Sequence, residues 1–94
     1  MRIRWTPGAV SDVGEIFDYL KSRNPAAAQV VVRVIGLAAH RLPRAPYVGR
    51  IGRVTGTREL VIQGTPYVMG YRVEESELQI LCVRHGARQW PEVL

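Results

Sequence analysis

Ninety-four residues at 47% hydrophobic composition suffice for one domain, residues 1–94, burying roughly 60–65% of its unfolded surface. A single cysteine, Cys82, excludes an intrachain disulfide, and no apolar run approaches the roughly 18 residues that span a bilayer. The formal net charge of +5 rests on 13 basic residues, 12 of them arginine, and no signal-peptide pattern opens the chain. A cytoplasmic protein that meets an acidic or phosphate-bearing macromolecule is the expectation, rather than a membrane protein or one with a small-molecule substrate.

Arg2-Ile3-Arg4-Trp5 alternates charge with bulk and reads as a short strand. Thr6-Pro7 is an N-cap followed by a first helical residue, which starts a helix from Pro7 to about Ser22. Val10, Val13, Ile16, Phe17 and Leu20 form its apolar stripe, while Asp12, Glu15 and Asp18 make a solvated acid row. Asn24-Pro25 repeats the start signal for a second helix to about Arg41, with Ala27, Val30, Val31, Val34, Ala38 and Leu42 as its stripe. At roughly 1.5 Å per residue it is on the order of 25 Å long, enough to cross a three- or four-stranded sheet.

Leu42 to Gly52, with two prolines and two glycines, is an ordered irregular loop. Arg53 to Val73 then reads as a hairpin turning at Gln63-Gly64-Thr65-Pro66. Arg58, Leu60 and Ile62 share one face and Glu59 and Val61 the other; Tyr67, Met69, Tyr71 and Val73 share a face beyond the turn. Pro66, without an N–H, belongs at a strand start. A third run, Leu78 to Val83, completes an antiparallel meander and buries Cys82 as a small core residue. The fold class is α+β: an N-terminal helical hairpin packed on a twisted antiparallel sheet of three to four strands.

Five arginines (41, 44, 50, 53 and 58) stand between positions 41 and 58 without one acid. Arg58 begins one strand and Arg84 and His85 end another, so antiparallel neighbours would gather Arg58, Arg84, His85 and Arg88 at one sheet edge. Cations that hold a phosphate beside an imidazole that moves a proton are the parts of RNA cleavage. The plainer reading ends the strand there and pairs the cations with Glu59 or a terminal carboxylate. His40, His85 and Cys82 lack metal-ligand spacing, and neither metal nor cofactor is expected.

Trp5-Thr6-Pro7-x-Ala9, Gly49-Arg50, Gly56-Thr57-Arg58-Glu59-Leu60-Val61, Thr65-Pro66-Tyr67-x-x-x-Tyr71-Arg72-Val73 and His85-Gly86-Ala87-Arg88-x-Trp90-Pro91, in this order, resemble the RelE/ParE superfamily of type II toxin–antitoxin toxins. The resemblance implies a partner antitoxin whose C-terminal segment wraps and neutralises the toxin. Phe17, Tyr19, Val32 and Leu37 are the candidate antitoxin contacts, because one sheet face leaves them spare.

RelE-like members cleave mRNA in the ribosome, whereas ParE-like members poison DNA gyrase without a known hydrolytic site. Where RelE-like enzymes carry a basic residue this chain has Val68, and beside His85 it has Gly86 in place of a Tyr-like group. The resemblance therefore leans to the gyrase poison, with Arg50, Arg53, Arg58, Arg84, Arg88 and Trp90 as candidate target contacts and no catalytic residue. The alternative is a ribosome-dependent endoribonuclease using Arg58, Arg84 and His85.

Overall fold

The computed structural model describes residues 1–88, 90 and 94. Its elements are β1 (Arg2–Trp5), α1 (Pro7–Lys21), α2 (Pro25–Arg41), a 3-10 turn (Leu42–Arg44), β2 (Arg50–Ile51), β3 (Arg58–Val61), β4 (Tyr67–Val73) and β5 (Glu77–His85). Both helices start as their caps dictate. Thr6 Oγ1 accepts from the Ala9 N–H at 3.2 Å and Asn24 Oδ1 from that of Ala27 at 3.2 Å, with proline next in each case.

One sheet runs in the order β1-β5-β4-β3-β2. Its five strands among the described residues exceed the three or four expected, since Arg50 and Ile51 leave the loop to pair antiparallel with Glu59 and Arg58. The meander β3-β4-β5 is antiparallel throughout, but β1 joins its far side parallel to β5, with Arg2 opposite Glu77 and Trp5 opposite Ile80. The helical hairpin carries the chain from β1 across the sheet to β2 at the opposite edge, and the meander returns it to β5, a connection long enough for a parallel pair.

Both helices cover one face. Ala9, Ile35, Ala39 and Leu42 meet Met69, Tyr71, Leu78, Ile80 and Val83 in a core where each is at most 2% exposed. Fully burying such large side chains is worth roughly 1.5–3 kcal/mol apiece. Val13 and Ile16 of α1 and Val31, Val34 and Ala38 of α2 pack against this core as their spacing predicts, but Val10 and Val30 are 57% and 47% exposed, and the most deeply buried line on α2 also takes in Ala28, Ile35 and Ala39. Small alanines hold these positions, so the helices sit low on the sheet and the bulkier valines flank the contact.

Along β5 the alternation breaks once. Tyr71 pairs with Ile80 but Gly70 with Cys82, leaving Leu81 as a bulge. Leu78, Ile80 and Val83 thereby share the helix side, while Cys82 faces the opposite side with Val68, Trp90 and Leu94. The Thr6 hydroxyl donates to the Ile80 carbonyl at 2.9 Å beside that bulge, so one side chain serves helix and sheet together. Thr6→Ala is expected to cost about 1–2 kcal/mol in urea unfolding, and Thr6→Ser to restore most of it.

Candidate functional site

The arginine-rich segment between α2 and β3 is tied to the sheet at three places. Tyr71, fully buried on β4, donates its hydroxyl proton to the Pro46 carbonyl at 2.8 Å and accepts from the Gly49 N–H at 2.9 Å. Burial raises its pKa above the ordinary 10.0, against the Gly49 hydrogen bond and the nearby Arg58 charge, so the proton it donates is held. Arg58 Nη1 donates to the carbonyls of Tyr47 and Gly49 at 3.2 and 2.9 Å, and its guanidinium lies 5.0 Å from the Tyr47 ring centre. Gly49 must be glycine here: a Cβ would stand 2.6 Å from the Tyr71 hydroxyl and 2.9 Å from the Glu59 carbonyl oxygen.

The third tie is Glu59, whose side chain is 2% exposed. Its Oε1 accepts from Arg50 Nη2 at 2.9 Å and Arg53 Nη2 at 3.1 Å; its Oε2 accepts from the Arg53 backbone N–H at 2.8 Å and Arg53 Nε at 3.0 Å. Burial pushes the carboxyl pKa up, yet the Arg53 side-chain and backbone hydrogen bonds, with Arg50, outweigh it and hold it at about 2 against the ordinary 4.5. Arg53 also lays its guanidinium 4.1 Å from the Trp90 ring centre.

At the other end of the sheet lies an open groove of about 830 Å³. Asp12, Glu15 and Tyr19 of α1 form one wall, and Tyr67, Arg84, His85 and Arg88 line it as well. Asp12 Oδ2 accepts from the Val83 N–H at 3.0 Å, capping β5 where β1 no longer covers it, and lies 4.0 Å from Arg84 Nε. His85 meets Tyr67 edge to face at 6.2 Å between ring centres, and its Nδ1 accepts from the Ala87 N–H at 3.2 Å. A second, more apolar groove of about 450 Å³ runs between α2 and β3, past Val34, Leu37, Val48 and Val61. Among the described residues no three of His, Cys, Asp and Glu come together as metal ligands do.

The expected gathering of Arg58 with Arg84 and His85 does not occur. β3 and β5 are each antiparallel to β4 and so run parallel to one another, which sends the start of one and the end of the other to opposite ends. Arg58 stands opposite Tyr71, whereas Arg84 and His85 stand opposite Val68 and Tyr67. Three residues along and two strands across is a backbone separation of about 14 Å. Arg50, Arg53 and Arg58 share one rim, but two of them are engaged by Glu59.

Trp90 points inward, 9% exposed, against Cys82 and Val68. Tyr19 and Leu37, 57% and 45% exposed, line different grooves, while Phe17 and Val32 are half-buried. Cys82 is a core thiol, and burial pushes its pKa up. Sequence reasoning offered Glu59 as an acid for the cations at the end of β5, whereas it holds Arg50 and Arg53, and it passed over the exposed Tyr47, Val48 and Ile51.

Residues 3–90 match the family described as the ParE toxin of the type II toxin-antitoxin system, parDE. Among curated proteins, the chain is 44% identical to Y4kP of Sinorhizobium fredii, over 99% of this chain and 96% of the relative. It is 37% identical to Toxin RelE2 of Caulobacter vibrioides, over 93% and 97%. A solved chain of the chromosomal ParDE TA system from P. aeruginosa superposes with a TM-score of 0.85 at 28% identity, covering 90% of this chain and 95% of that one.

Proposed function

We propose that this chain, which belongs to the family of ParE toxins of type II toxin–antitoxin systems, halts growth by binding DNA gyrase and is silenced by a cognate antitoxin. The observation that carries the gyrase reading over mRNA cleavage is the separation of Arg58 from Arg84 and His85 by the strand order. An endonuclease needs its phosphate-holding cations and its proton-transferring group around one scissile bond, within a few ångströms. Here the imidazole shares its groove with Asp12 and Glu15, whose charges oppose a phosphate backbone.

The antitoxin is assigned to the grooves beside the helices. Both are concave, and Tyr19 and Leu37 stand exposed along them. An amphipathic segment laid there covers apolar surface, and acidic residues on it meet Arg41 in the groove between α2 and β3.

Purified protein added to a gyrase supercoiling reaction should inhibit it at micromolar concentration and accumulate cleaved DNA. Intact supercoiling at that concentration removes the proposal. His85→Ala should leave growth arrest within about twofold of the parent chain, whereas loss of catalytic proton transfer would cost 10²-fold or more. The adjacency of Arg84, His85 and Arg88 favours the endoribonuclease as the second reading. It stands if His85→Ala abolishes arrest and transcripts are cut at the ribosomal A site.

A further inference from the structure

The most exposed large apolar side chains of the described chain stand together on the arginine-rich rim. Ile51 is 75% exposed, Tyr47 64% and Val48 63%. Ile51 is the cross-strand partner of Arg58, and Arg58 in turn lies over Tyr47, so Tyr47, Arg58 and Ile51 form one row. Tyr47 and Ile51 line neither groove; they project.

The backbone beneath them is fixed by Tyr71, Arg58 and Glu59, each spending buried or half-buried polar groups on it. A surface turn that merely connects two elements needs no such bracing, and folding gains little from apolar side chains left in water. Rigid, projecting aromatic and aliphatic groups lose little entropy on binding and act as anchors. Among the described residues the only acid on this rim is Glu59, and it is buried and already paired.

We infer that Tyr47 and Ile51, flanked by Arg58, are the anchor that enters an apolar, carboxylate-rimmed socket on the poisoned protein. This rests on the proposal that the chain acts by binding a protein target. The shape separates the two partners. Concave grooves receive a segment that folds on binding, and a braced projection enters a socket on a protein already folded. Arg50 and Arg53 act chiefly by holding the projection in place through Glu59, and Trp90 takes no part in the contact.

The test compares the parent chain, the double variant Tyr47→Ala/Ile51→Ser and the remote surface control Val10→Ser. Thermal melting of both variants should stay within about 3 °C of the parent, because these side chains are in solvent. The double variant should lose at least about tenfold in gyrase inhibition and in growth arrest, while binding purified antitoxin as tightly as the parent; Val10→Ser should change neither. Should the double variant melt early, Ile51→Ser alone decides, with a loss of severalfold expected.

Inhibition by the folded variant equal to the parent's overturns the inference and leaves the gyrase proposal standing. A variant that keeps its toxicity but loses antitoxin binding also overturns it, and gives this projection to the antitoxin. If the parent chain itself leaves gyrase untouched, the gyrase proposal falls, and growth arrest decides: arrest lost in the variant supports the anchor, and arrest retained refutes it.

Discussion

Glu59→Ala is expected to lower unfolding stability by about 2–4 kcal/mol and to free the segment from Arg50 to Arg53, which it holds. Removing one partner of a buried ion pair commonly costs about 3–5 kcal/mol, because the charge left behind has lost its compensation. The lower range applies here, since the Arg50 and Arg53 side chains are 56% and 38% exposed and can recover water. The structural consequence exceeds the energetic one. The Arg53 backbone N–H loses its acceptor, the Arg53 guanidinium loses the brace that holds it over Trp90, and β2 loses its tie to Glu59.

The same group sets a pH dependence whose sign is fixed. A carboxyl held at about 2 in the fold and near 4.5 when unfolded stabilises the protein fully above pH 4.5. That stability is lost as pH falls from 4.5 towards 2, by about 3 kcal/mol at most, because the unfolded chain then binds the proton more readily. Urea midpoints of the parent chain should fall over this window by more than those of Glu59→Gln. Parallel profiles for the two would place the carboxyl outside the network described here.

Gly70→Val should cost about 2–3 kcal/mol and lift Trp90 off the sheet. Even a Cβ at this position would stand 2.7 Å from Cys82 Sγ and 3.2 Å from Trp90 Cζ3, so the larger side chain must displace the indole. The readout is tryptophan emission in a Trp5→Phe background: a red shift and easier quenching, with helix content unchanged. Gly70→Ala combined with Cys82→Ala should cost less than the two separate substitutions together, by about 1 kcal/mol, since the second removes the atom that the first meets. Strict additivity would mean that the sheet spreads there without strain.

Much of this architecture was legible because its signals are local. Thr6-Pro7 and Asn24-Pro25 mark helix starts wherever they occur, and the alternation either side of Gly64, whose φ is 81°, marks a hairpin. What escaped was set by partners distant in the chain. Two residues, Arg50 and Ile51, are a strand only because Glu59 and Arg58 lie beside them. Val10 and Val30 stand exposed at the edge of otherwise buried stripes, because helical spacing alone fixes the centre of a buried face better than its border.

The arginine cluster failed for a topological reason. Arg58 and Arg84 lie on strands that are second neighbours, and second neighbours in a meander point the same way, so a start and an end never meet. The presence of Trp90 was visible in the sequence, but its direction was not. That depended on Gly70 leaving room for an indole on the side of the sheet away from the helices.

The parallel seat of β1 against β5 carries a consequence for how the protein is made. Thr6 closes its hydrogen bond with Ile80 across 74 positions of chain, so the first strand synthesised is among the last to find its place. While the ribosome is still adding the meander, the two helices have no floor, and Ile35, Ala39 and Leu42 remain bare. A half-made chain of this design therefore lacks its packed core, and the fold is complete only after β5 has emerged and docked between β1 and β4.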